Sequence, residues 1–375
     1  MATVIAAPES KLTLARKWPV VCAGLLALIL LFGADALLFR TKMYPQLLEP
    51  GSSTGLFELI LAKELRAQKR LGDNLVATLG NSRFAWSPML VDHERAASPL
   101  VFRDAGLAGS DPRVWYYMVR ELDPTARRYR ALIFGLDTYE DEDRVFNPAN
   151  DIRDLHYVIN RLRLSDVVDF ARSYEDWSLR WTVLRGGLFR GLVYQEDIHA
   201  LMTHPSTRLR DVRLARNGYE SWVYTYKESE RSMAGLKIDW PTLNVTFPPD
   251  MNEDQKGSVM SFLAHGEEPQ TGRLTQFRRL WLGRIVERYR GSQTKIIFLR
   301  LPRGPIPRPD SLRIRTDSTI RDFAKGNPNV LLTDEHVFDS LEHPELFKDG
   351  MHLNREGINR FSLLMVDEVL RLLHQ

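Results

Sequence analysis

The stretch Asn74-Leu-Val-Ala-Thr-Leu-Gly-Asn-Ser-Arg83 decides how this chain reads. Asn74 to Leu79 is a short apolar run with strand-forming residues, and Gly80 ends it. Ser82 then follows at once, which places a hydroxyl just past the carboxyl end of a strand. In open α/β sheets that end is where sites form.

Working outward, the same strand signal recurs at Leu100–Leu107, Arg130–Leu136, Lys295–Leu301 and Val330–Thr333. Helical patterns lie between. Asp111-Pro112 opens one helix, with Asp as N-cap and Pro in the first turn. Val114, Trp115, Met118, Val119 and Leu122 form its apolar stripe. Leu274–Tyr289 carries Phe277, Leu280, Trp281, Ile285 and Val286 on one side, and Leu312–Phe323 also reads as a helix. Ile358, Phe361, Met365, Val369 and Leu372 line the last helix. Strands alternating with helices predict a parallel, doubly wound α/β sheet. Ser82, Gly109 and Asp137 each follow a strand, while Asp349 and His352 precede the last helix. All five should meet on one rim.

Residues 138–273 break the alternation and are too long for a loop, so they read as an inserted cap. Within them, Trp177–Tyr194 mixes aromatics with Arg180, Arg185 and Arg190. It reads as a core helix with a solvated basic face rather than a membrane-surface or partner-binding stretch. Residues 40–73 read as a polar connector containing one helix. Residues 74–375 form the main domain, and 1–18 a tail.

Pro19–Phe39 is apolar except for Asp35. Spanning a bilayer takes roughly 20 such residues, so 19–39 reads as a transmembrane helix. Lys11, Arg16 and Lys17 precede it, against Arg40 and Lys42 after it. That excess leans toward a cytoplasmic N-terminus and an extracytoplasmic main domain. A cleaved signal peptide is the rival, weakened by the long run and the lack of a small-x-small site. Asp35 reads as an acid near the interface. The net charge of +3, with both signs interspersed, argues against a nucleic-acid binder. A single cysteine, Cys22, excludes an intrachain disulfide.

A serine hydroxyl is a weak nucleophile; it needs a base, and the base needs an orienting group. Phe347-Lys-Asp-Gly-Met-His-Leu353 supplies both. His352 can take the Ser82 proton, and Asp349 can hold the other imidazole nitrogen. The oxyanion formed from an attacked carbonyl needs donors. The backbone N–H groups of Ser82 and Gly109 are candidates. This pattern predicts a serine hydrolase or acyltransferase.

Gly80-Asn81-Ser82-Arg83, Gly109 and Asp349-Gly-Met-His352 resemble the first, second and fifth blocks of the SGNH (GDSL-like) hydrolases. The resemblance covers about 74–137 and 274–375. It implies a flavodoxin-like three-layer α/β/α sandwich, with Ser82 as nucleophile, His352 as base, Asp349 as third triad member and Gly109 as oxyanion donor. The family's third block is Gly-x-Asn, and here it is Gly135-Leu136-Asp137. An ionised Asp cannot donate a hydrogen bond. Either Asp137 is structural, or it is protonated, or Asn81 or Asn147 substitutes. With a single membrane anchor, the chain is most similar to the branch related to alginate O-acetylation and teichoic-acid D-alanyl transfer. That branch implies an envelope polysaccharide or a small acylated substrate, a multispanning acyltransferase as partner, and no cofactor. The rival readings are a lipid or carboxylic ester hydrolase and a catalytically silent scaffold. His199, His204 and Asp197 lack a metal-ligand pattern, and Glu140–Asp143 reads as a solvated acidic loop rather than a calcium site.

Overall fold

The strands in chain order are β1 (Leu75–Leu79), β2 (Val101–Asp104), β3 (Ala131–Leu136), β4 (Lys237–Asp239), β5 (Asn244–Thr246), β6 (Lys295–Arg300) and β7 (Val330–Leu332). Five of them form one parallel sheet in the order β2-β1-β3-β6-β7, and β4 pairs antiparallel with β5. These come from a computed structural model that describes residues 10–41, 43–72, 74–84, 100–141, 151–217, 230–264, 272–309 and 317–374. The described residues contain twelve α-helices. All five strands expected from the apolar runs are present in the sheet.

The runs are continuously apolar because both faces of the sheet are covered. Leu75, Ala77, Leu79, Leu132, Phe134, Ile296 and Phe298 point into one core. Val76, Ala131, Ile133, Ile297 and Leu299 point into the other. On the first face lie α2 (Ser53–Gln68), α3 (Pro112–Leu122) and α10 (Arg273–Arg288), through residues such as Phe57, Met118 and Trp281. α11 (Thr319–Gly326) joins the first core through Ile320, and the last helix, α12 (Arg355–Leu373), covers the second face through Phe361, Met365 and Val369. Helix starts follow local chemistry. Asp111 Oδ1 accepts from the Arg113 N–H at 2.8 Å, with Pro112 in the first turn of α3. Asn354 Oδ1 accepts from the Gly357 N–H at 3.0 Å to cap α12. The segment 40–73 contributes α2, whose Phe57, Ile60 and Leu61 are fully buried in the first core.

The described parts of 138–273 divide between the two faces. The first part runs through α4 (Arg153–Val158), α5 (Leu164–Arg172), α6 (Trp177–Leu188), α7 (Gln195–Thr203) and α8 (Pro205–Asn217). It extends the first core through Leu155, Tyr157, Phe170 and Val183. Arg113 and Asp154, both fully buried, pair at 2.9 Å across that contact. The second part holds β4, β5 and α9 (Glu253–Ala264). It joins the second core through Met233, Leu236, Met251 and Val259.

α1 (Ser10–Phe39) is long and apolar enough to cross a membrane, and Val20, Ile29 and Leu30 on it are exposed. Its last turns are tied to the insertion. Asp35 is 8% exposed and accepts from the backbone N–H groups of Arg190 (3.0 Å) and Gly191 (2.8 Å). Arg190 donates in turn to Phe39 O (3.1 Å) and Leu162 O (2.8 Å). Arg40 caps the end of α6 by donating to Gly187 O (2.6 Å) and Leu188 O (3.0 Å). The Trp177–Tyr194 segment keeps its expected polarity at buried Val183 and exposed Arg185 and departs from it at three residues. Trp177 and Trp181 are 73% and 54% exposed, while Arg190 is buried. The reason is close packing at Gly187, where a Cβ would stand 2.6 Å from Val167, combined with carbonyl and carboxylate partners for the arginine.

Candidate active site

The rim begins where β1 ends. A Cβ at Gly80 would stand 2.8 Å from Phe84, and one at Gly135 would stand 2.6 Å from it. Phe84 is fully buried in this gap between the ends of β1 and β3. Its burial turns the chain: the Phe84 N–H donates to Asn81 O at 3.0 Å, leaving Ser82 part-exposed on the rim. Ser82 thus lies within a turn over residues 81–84, and residues 85–99 lie outside the described residues.

From the other side comes the loop before α12. Phe347 and Leu353 form an isolated antiparallel bridge, and the Lys348 N–H donates to His352 O at 2.9 Å. Inside this loop Asp349 Oδ1 accepts from the N–H groups of Met351 (2.9 Å) and His352 (2.8 Å). His352 Nδ1 lies 3.0 and 2.9 Å from the two carboxylate oxygens. His352 Nε2 lies 2.8 Å from Ser82 Oγ. The network assigns Nδ1–H as donor to Asp349 and leaves Nε2 to accept from the serine hydroxyl. Burial pushes the Asp349 carboxyl up. The His352 hydrogen bond and charge and the two N–H donors outweigh this, and its pKa falls below the usual carboxylate range.

Gly109 reaches the same rim. Its loop is laced to the Gly80 carbonyl by the Leu107 N–H (2.9 Å) and Ser110 Oγ (3.2 Å). Its φ of +69° suits glycine, and the Arg153 guanidinium occupies the space that a Cβ would need. Asp137 also arrives, but its carboxylate is engaged: Arg83 Nη1 donates to it at 2.5 Å, and Arg83 Nη2 donates to Pro302 O. The paired oxygen accepts from Arg83, and the Asp137 side chain stays 43% exposed at the rim. Asn81 spends its Oδ1 on the Arg83 N–H at 3.0 Å. Asn147 lies outside the described residues.

Two features escaped the sequence reading. The Arg83–Asp137 pair had a signal, opposite charges just past two apolar runs, but only the adjacency of β1 and β3 makes it meaningful. The second is the brace on the loop before α12. The Gly350 N–H donates to Ser258 Oγ at 3.0 Å, and Gln255 Nε2 donates to Lys348 O at 2.8 Å. Asn354 Nδ2 reaches Arg231 O at 3.1 Å. No local motif marks Gln255 or Ser258.

Elsewhere, Glu140 and Asp141 are buried rather than solvated, because Arg321 (2.7 Å) and Arg278 (2.9 Å) pair with them. Glu142 and Asp143 lie outside the described residues. Asp197 accepts from Tyr44 Oη (2.5 Å), the Glu49 N–H (3.0 Å) and Arg208 Nη1 (2.9 Å). Among the described residues no three His, Cys, Asp or Glu side chains are grouped so as to hold a metal ion. No family model matches the chain, and no curated protein matches it.

Proposed function

We propose that this chain is a membrane-anchored serine O-acyltransferase or esterase of the SGNH type. It moves an acyl group, acetyl in the first instance, onto or off a cell-envelope glycan through an acyl-Ser82 intermediate. The observation that carries the reading is the Ser82–His352–Asp349 chain of contacts, 2.8 Å at the nucleophile and 2.9 Å at the acid. The strand order supports a flavodoxin-like three-layer sandwich. The proposed domain faces outward from the membrane, beside a multispanning acyltransferase that supplies or accepts the acyl group.

In this reading Ser82 Oγ attacks the acyl carbonyl as His352 Nε2 takes its proton, and Asp349 stabilises the imidazolium. The N–H groups of Ser82 and Gly109 serve the oxyanion. The Asp137 charge, which would oppose that oxyanion, is offset by Arg83. His352 returns the proton to the leaving oxygen, and the acyl group stays on Ser82. An acceptor hydroxyl, from glycan or water, is then deprotonated by His352 and attacks the acyl carbonyl; the bond to Ser82 Oγ breaks, and His352 returns the proton to that oxygen. Incubating the full chain in detergent with an activated acetyl ester, quenching in acid and mapping peptides tests this. Acetyl on the Ser82 peptide is expected, with transfer to an added glycan acceptor. Turnover with acetyl on another residue only would contradict it.

A further inference from the structure

Immediately beyond α1 the chain forms an open cavity of about 560 Å³. Arg40, Arg66, Arg161, Arg190 and Arg216 line it, with Glu58 as the lining carboxylate. Glu58 is already engaged by Arg161, whose Nε donates to it at 2.8 Å. Asp35, next to Arg190, is occupied by two backbone N–H groups. The positive charge of the wall therefore exceeds its negative charge. Arg190 is 6% exposed, and the Nε atoms of Arg190 and Arg40 are buried with no hydrogen-bond partner. Burial first, and then the neighbouring Arg40 charge, push the Arg190 guanidinium down to about 10. An anion in the cavity would relieve both penalties.

The position of the cavity narrows the choice of anion. Arg40 directly follows α1, so if α1 spans the membrane the cavity opens at headgroup level. The nearby surface agrees. The Phe189 ring packs edge-on to Phe32 at 6.0 Å. Phe32 lies seven residues before the end of α1, or about 10 Å along the helix. The segment bearing exposed Leu188 and Leu192 thus runs beside the outer part of the span. Exposed Trp177 and Trp181 sit on the helix that ends there, and indoles favour the membrane interface.

We propose that this cavity binds the phosphate of an anionic phospholipid headgroup, with Arg40, Arg66, Arg190 and Arg216 as its cationic wall. Guanidinium forks match phosphate oxygens, and a glycerol headgroup, as in phosphatidylglycerol, brings no ammonium of its own to oppose them. The proposal rests on reading α1 as a membrane span and is independent of the Ser82 chemistry.

The test uses the full chain in a neutral detergent, with thermal unfolding followed against added phosphatidylglycerol, phosphatidylcholine or inorganic phosphate. Phosphatidylglycerol should raise the Tm in a saturable way at concentrations where the other two do little. The double substitution Arg66→Gln/Arg216→Gln, which spares the Asp35 junction, should weaken that response about tenfold or more. Equal stabilisation by phosphatidylcholine, or wild-type affinity in the double variant, would overturn the site. Equal protection by inorganic phosphate would overturn the lipid as its source. Alkaline extraction of native membranes checks the span separately: release of the protein would refute α1 as an anchor, whatever the lipid result.

Discussion

Asp349 and Asp35 sit in different regions and use the same local device. Each carboxylate accepts from two successive backbone N–H groups, of Met351 and His352 in one case and Arg190 and Gly191 in the other. They differ in what else each one holds. Asp349 also takes an imidazole, whose far nitrogen meets Ser82. Asp35 holds only a turn, and that turn presents the buried Arg190 to Phe39 and Leu162. One device therefore orients an imidazole, and the other fixes a helix to a domain. Substitution should separate them, because the first loss should appear in rate and the second in stability.

The largest expected effect is on rate. Asp349→Asn preserves the size of the side chain and removes the charge that orients the Nδ1–H tautomer. Acyl transfer should fall by ~10³–10⁴-fold with the fold retained. Steady-state kinetics alongside circular dichroism checks this; a loss of less than tenfold would remove Asp349 from the mechanism.

Next comes Asp35→Ala. It leaves one buried and one part-buried N–H group without their acceptor, so the domain should lose about 1–3 kcal/mol. Denaturant unfolding in detergent measures it, and acyl-ester turnover at low temperature should stay close to wild type. A fall in turnover without a fall in stability would merge the two regions that the comparison keeps apart.

The last effect is read across pH and concerns a third carboxyl, Asp104 at the end of β2. Burial pushes it up to about 8, and its Oδ1 accepts from the Gly106 N–H at 2.9 Å. The two shifts have opposite signs. Asp349, lowered in the fold, contributes stability above the ordinary carboxylate pKa of about 4, and this is lost as pH falls through its lower folded value. Asp104, raised in the fold, contributes fully below about 4, and this is lost as pH rises through about 8. Asp104→Asn should therefore gain on wild type in Tm as pH climbs from about 5 to 8, while Asp349→Asn loses ground over the acid range. Parallel Tm–pH curves for wild type and Asp104→Asn would contradict the buried-acid assignment.

The sheet was legible because its strands are buried on both faces and read as unbroken apolar runs. The meeting of Ser82, Asp349 and His352 on one rim follows from where those runs end. What stayed hidden depends on contacts remote in sequence. The Arg83–Asp137 pair needs β1 beside β3. The burial of Arg190 needs Asp35, 155 residues away. The brace from Gln255 and Ser258 reaches a loop more than ninety residues on. The insertion has no strand–helix alternation, so nothing in its pattern told that its described parts would divide between the two faces.

The central claim is that Ser82 is a nucleophile activated by His352. Labelling of the full chain in detergent with a fluorophosphonate serine probe tests it most directly. Wild type should take up one equivalent at the Ser82 peptide, and Ser82→Ala should take up none while its Tm stays near that of wild type. Equal labelling of wild type and a folded Ser82→Ala protein would contradict the account.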